Sequence, residues 1–223
     1  MALLSYITSQ AWYKKFFSRS GSMKYFFLIG LLLVGVLIFG YGYKKIMGNR
    51  TAQSQQQLAE CLALFDATAA QASPDWHALG ETLKNIYAEQ SNLVTSPMLS
   101  LLADVYVHEG DLAKAIQTMD LVLKSLSPSS PLYSLYKIKH ALMCLDSLDN
   151  KLVEDGLAQL TMMAQDKMIN AWDEAAYYVG LYYWEKNDIK QASLHWQDLR
   201  DMPLDIEGAS PWAARVQAKL PLV

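Results

Sequence analysis

Two stretches of this chain repeat each other position for position at an offset of 77 residues: Ala103-x-x-Tyr106-x-x-x-Gly110-Asp111-Leu112-x-x-Ala115 and Gly180-x-x-Tyr183-x-x-x-Asn187-Asp188-Ile189-x-x-Ala192. A repeated helical unit cannot bury its apolar face alone, so such a chain must stack neighbouring units into one continuous core. Each copy encodes two helices. A small residue (Ala103, Gly180) marks where they cross, a tyrosine packs between them, and Gly110 or Asn187 closes the first helix in a left-handed conformation. Asp111 or Asp188 then caps the second helix, and Ala115 or Ala192 supplies the other side of the crossing. Strand patterns are absent and apolar residues follow helical spacing almost throughout, so the expected fold class is all-α.

The paired pattern resembles the tetratricopeptide repeat, a 34-residue helix–turn–helix unit. Met119 and Trp196 stand at its later bulky position, and Pro128 and Pro203 follow the second helices. The offset exceeds two such units, so one longer, degenerate unit fits between the copies, carried by Ala141, Cys144, a loop at 147–150, Gly156 and Leu160. The resemblance implies an α-solenoid of about three helix pairs over residues 95–223. Ser210-Pro211-Trp212 to Leu220 would be a capping helix over the last apolar face. In this repeat type the residues one, four and five after the small position face a concave groove. These are Asp104, Val107 and His108 in the first copy and Leu181, Trp184 and Glu185 in the last, with Tyr177 three before Gly180. They are the expected partner-binding residues. The alternative is that Tyr177 and Trp184 contact the neighbouring repeat.

Residues 25–43 form an uncharged run of 19 between Lys24 and Lys44-Lys45. As a helix rising about 1.5 Å per residue it would span roughly 28 Å, close to a bilayer's hydrocarbon core. Tyr25, Tyr41 and Tyr43 suit the headgroup belt at its ends. A cleaved signal peptide usually has a shorter core followed by small residues, so an uncleaved anchor is expected. Gly30, Gly35 and Gly40 recur every five residues, which is not the spacing of a dimerising face. Before the run stand four basic residues, Lys14, Lys15, Arg19 and Lys24, against three after it, Lys44, Lys45 and Arg50. That bias leans toward an N-terminus inside and a C-terminal domain outside. The tail 1–24, with Leu3, Leu4, Ile7, Trp12, Phe16 and Phe17 around its lysines, is either an interfacial helix or a plain cytoplasmic tail. Residues 44–94 are expected to form a stalk and leading helices. In the stretch 51–72, Leu58, Cys61, Leu62, Leu64 and Phe65 lie on or near one face. Ser73-Pro74 and Ser96-Pro97 resemble helix starts.

The first 59 residues hold seven Lys or Arg and no acid, whereas the remainder holds 12 basic against 22 acidic residues, a net of −10. An acidic domain argues against nucleic acid, whose phosphates require a concentrated basic face. Cys61 and Cys144 fit neither a disulfide framework nor metal-ligand spacing and are expected to be buried free thiols. His77, His108, His140 and His195 fall in four helices without an HExxH pattern, and neither a phosphate-binding loop nor a nucleophile elbow occurs. Asp173-Glu174 opens a helix, where carboxylates interact favourably with the dipole. No catalytic, metal or cofactor residue and no small-molecule substrate is therefore expected.

The layout as a whole, with Tyr13-Lys14-Lys15-Phe16-Phe17 in a short tail, one anchor, a Gln-rich helix and about three degenerate repeats, resembles the YfgM-type ancillary subunits of the bacterial SecYEG translocon. That resemblance implies a cytoplasmic-membrane protein with a periplasmic repeat domain, associated with SecYEG and with a membrane-bound peptidyl-prolyl isomerase chaperone. The tail departs from the family in lacking acidic residues, and the domain is richer in Trp and Tyr. A scaffold of another envelope secretion or assembly complex is the next reading, and a membrane-anchored regulator the third.

Overall fold

The helices of this protein start and stop where side chains can satisfy the backbone groups a helix end leaves unpaired. The computed structural model describes residues 48, 50–91, 93–204 and 210–220. The expected tail and the expected span at 25–43 lie outside the described residues. The chain divides into two units, Met1–Gln55 and Gln56–Val223. Helical residues 50–69 form α1, which belongs to the second unit from Gln56 onward. There follow α2 (Trp76–Glu89), α3 (Ser96–Glu109), α4 (Leu112–Ser125), α5 (Pro131–Leu145), α6 (Asn150–Gln165), α7 (Trp172–Glu185), α8 (Ile189–Arg200) and α9 (Pro211–Lys219). All regular structure among the described residues is helical, and no helix among them is long and apolar enough to cross a membrane.

The expected caps are present at both copies of the repeat. The Asp111 carboxylate accepts from the Lys114 amide and that of Asp188 from the Gln191 amide. The residues before them turn left-handed, Gly110 at φ 81° and Asn187 at φ 59°. Two starts differ from expectation. Asp75, not Ser73, caps α2 by accepting from Ala78 N, because only the residue next to the first turn can reach its free amides. Likewise Thr95, not Ser96, stands at the cap of α3, without a side-chain hydrogen bond to the backbone there. The expected terminal helix is present as α9, with Ser210 as its cap.

Each helix packs chiefly on its chain neighbours, with α9 also returning to α7, an arrangement consistent with an α-solenoid. Three apolar clusters follow one another along it. The first joins α1 to α4 with Met143 and Cys144 of α5, the second joins α5 to α7, and the third joins α7 to α9. Tyr178 and Tyr183 touch both of the last two, so the core is continuous there.

The expected stalk is corrected in part. Cys61 of α1 is fully buried in the first cluster and Leu58 and Phe65 pack against it, so α1 from Gln56 is a packed leading helix. Leu62 and Leu64, expected on the apolar face, are 43% and 39% exposed, because a helix turns only one narrow stripe to its core.

The crossings are tight. A Cβ on Gly180 would collide with the Trp196 indole. One on Gly156 would lie 2.7 Å from the Ala141 carbonyl oxygen and 2.8 Å from Cys144 Cβ. Ala103, Ala115, Ala141, Ala192, Met119, Leu160 and Trp196 are all buried.

Candidate functional site

The first helices of the successive pairs, α3, α5 and α7, carry the groove positions, and the structure treats the three differently. On α3, Asp104 is already partnered. Lys139 of α5 donates to its Oδ2 at 2.7 Å, and also to Ser100 Oγ at 2.7 Å and the Ser100 carbonyl at 3.3 Å. Tyr136 lies beside this pair; burial first, and then the Asp104 charge, holds its hydroxyl above the usual range. The strap ties α3 to α5 and occupies Asp104 Oδ2. Val107 is exposed. His108 lies flat against Trp76, with ring centroids 4.1 Å apart and planes within 10°, and Phe65 is tilted against both. Trp76 and His108 border an open hollow of about 690 Å³, where His77 Nδ1 stands 3.2 Å from Glu109 Oε1.

Between α5 and α7 lies a cleft of about 390 Å³, lined by Leu142, Leu145, Asp146, Tyr178, Leu181, Tyr182, Glu185 and Lys186. Its position follows from the helix ends. Asp146 follows the last turn of α5, and Glu185 and Lys186 close α7. Apolar walls therefore meet a charged rim at one end. Lys186 Nζ stands 5.6 Å from the centroid of the Tyr182 ring, a cation–π arrangement. Asp146 and Glu185 are exposed and take part in no ion pair among the described residues.

Of the expected binding residues, Leu181 and Glu185 line this cleft. Tyr177 does not, and its assignment is corrected: it is 7% exposed within the third cluster. The Trp196 indole N–H donates to its carbonyl at 2.9 Å and Trp212 packs on its ring at 4.9 Å. Trp184 is also turned inward, its ring 5.7 Å from that of Trp196, so it braces α8 instead of lining the cleft. Large aromatic rings on α7 gain more by filling the last crossing than by facing water.

Leu142, Leu145 and Asp146 escaped the sequence reading. They stand one, four and five residues after Ala141, the same register that gives Leu181, Trp184 and Glu185 after Gly180. Counting from Ala141 would have found them.

The buried polar clusters are structural. His140 Nε2 stands 3.2 Å from Asp120 Oδ1, and the Cys144 Sγ lies 3.9 Å and 4.0 Å from the two nitrogens of that ring. The composition is that of a nucleophile and its base, but the Cys144 thiol is 1% exposed. Burial above all, with Asp120 and Asp155 adding, pushes its pKa up to about 11, which disfavours the thiolate at neutral pH. Cys61 is likewise a free, buried thiol raised chiefly by burial. At the start of α7, Ser210 Oγ donates to Asp173 Oδ2 at 2.6 Å, fastening α9 to α7. The neighbouring Glu174 carboxyl is raised by burial and then by Asp173, with Arg215 opposing. Among the described residues no group of three or more His, Cys, Asp or Glu could hold a metal ion.

Compared with models of protein families, with curated proteins and with solved structures, this chain matches none.

Proposed function

We propose that this chain is a membrane-anchored protein-interaction module and not an enzyme. In this reading residues 25–43 form a single transmembrane helix with the tail inside. The domain stands outside as a tetratricopeptide-like solenoid of three helix pairs, α3–α4, α5–α6 and α7–α8, closed by α9. The observation that carries it is the cleft between α5 and α7, where leucines and tyrosines meet a charged rim whose two carboxylates take part in no ion pair among the described residues. Such a site suits an extended or helical segment of another protein. The tight Gly156 and Gly180 crossings support the repeat assignment, since those small residues admit the neighbouring helix. No cofactor, metal, nucleic acid or small-molecule substrate enters this reading.

Association with the SecYEG translocon and a periplasmic peptidyl-prolyl isomerase chaperone at the bacterial cytoplasmic membrane rests on the resemblance of layout alone. Two measurements test the whole. Protease added to spheroplasts should digest the chain beyond residue 51 and spare the tail, and mild detergent extraction should bring SecY down with the tagged protein. A fully protected C-terminal domain would refute the topology. Absence of SecY from the eluate, with other envelope complexes present, would move the reading to a scaffold of one of those.

A further inference from the structure

We propose that the cleft between α5 and α7 receives a basic amphipathic segment of a partner protein, whose apolar side chains enter beside Leu145 and Leu181 and whose Lys or Arg side chains meet Asp146 and Glu185. This rests on the interaction-module reading above and specifies the chemistry of the partner.

Asp104, one residue after Ala103, already has a lysine, since Lys139 approaches its carboxylate at 2.7 Å and takes a Ser100 hydroxyl as well. Asp146 and Glu185 stand five residues after Ala141 and Gly180, further along the same register, and have no such cation. Lys186, next to Glu185 in the chain, stands over the Tyr182 ring. A partner's basic side chain would do for them what Lys139 does for Asp104. An uncharged apolar segment would cover the rim and leave two carboxylates partly desolvated without a donor, at a cost in affinity. An acidic or phosphorylated segment would meet like charge. The surrounding field has the same sign, since the chain from residue 60 onward holds 12 basic against 22 acidic residues, which speeds encounter with cations.

The test uses the full chain in nanodiscs of zwitterionic lipid, with empty nanodiscs as the blank. The probes are three fluorescent synthetic amphipathic helices with the same leucine stripe, flanked by lysines, by glutamates or by serines. Fluorescence anisotropy should show the lysine helix binding above the blank, with an affinity that falls as salt rises, and the glutamate helix not binding. The double variant Asp146→Asn, Glu185→Gln should weaken the lysine helix about tenfold or more. A matched pair of exposed acids away from the cleft, Glu89→Gln with Glu154→Gln, should leave it unchanged. Equal binding by the rim variant and the parent overturns the proposal, as does a lysine helix that binds no better than the blank. If the serine or glutamate helix binds instead and Tyr182→Ala abolishes it, the basic partner is wrong while the interaction module stands. If no helix binds and no partner co-purifies, both fall.

Discussion

The stretches between α3 and α5 and between α5 and α7 are each flanked by the first helices of successive pairs, yet one is strapped across by a lysine and the other holds a cleft. In the first, a lysine on one helix reaches an aspartate and a serine on the next, and the surface is stitched across. In the second, Lys186 stands over an aromatic ring, Asp146 and Glu185 take part in no ion pair among the described residues, and a hollow remains. The strap has no counterpart at either end: Lys139, two before Ala141, corresponds to Tyr178, two before Gly180, and Asp104, one after Ala103, corresponds to Leu142, one after Ala141. A repeat fold thus sets where a partner could bind, while single side chains decide which inter-repeat gaps accept one.

The wall of the open cleft depends on what lies behind it. Trp196 fills the Gly180 crossing and donates to the Tyr177 carbonyl, so Trp196→Ala should cost about 3 to 5 kcal/mol. Thermal melts of the purified protein measure this, and a drop under 1 kcal/mol would mean that α7 is held some other way. The closed stretch offers the converse change. Lys139→Met removes the half-buried strap, and a pair this exposed should lose only about 1 kcal/mol or less of stability. If closure is the work of that lysine, the freed Asp104 should let the lysine helix bind up to about fivefold tighter; weaker binding would mean that the two stretches differ for another reason.

Two smaller changes at the start of α7 sharpen the picture. Ala171 sits at φ 71°, in the left-handed region that an alanine enters at a cost of about 1 kcal/mol. Ala171→Gly should relieve part of it and raise the melting temperature, whereas a fall would show that the methyl packing against the second cluster outweighs the strain. Glu174 titrates above its ordinary range, so the folded state holds its proton more tightly than the unfolded chain. The resulting penalty is complete above the folded pKa and is relieved as pH falls through it. Glu174→Gln should therefore stabilise at neutral pH and match the parent in acid; a difference independent of pH would assign the effect to packing.

Helix pairing was legible because backbone constraints leave strong marks. Gly110 and Asn187 are needed for positive φ, Asp111 and Asp188 for the caps, and Ala115 and Ala192 for close approach, and each stands where the repeat places it. The site was half legible. Register alone found Leu181 and Glu185, but register does not say whether a ring turns outward or fills a gap behind it, and Tyr177 and Trp184 turn toward Trp196. Nor does it reveal a pairing across repeats, which is why Asp104 read as a free groove carboxylate. In the middle unit the tyrosine and glycine signature is missing, so Leu142, Leu145 and Asp146 went unnoticed although Ala141 marks their register.

The two buried thiols give the molecule a clock of its own. Thiolate is the form that reacts with an alkylating reagent or an oxidant, and burial withholds it from both Cys61 and Cys144. Modification at either sulfur must then wait for the helices over it to part, so its rate records how often that part of the solenoid opens. Cys61 lies in α1 and Cys144 in α5, beside the helix end that forms the cleft rim. A segment lodged between α5 and α7 should slow the second clock and leave the first running.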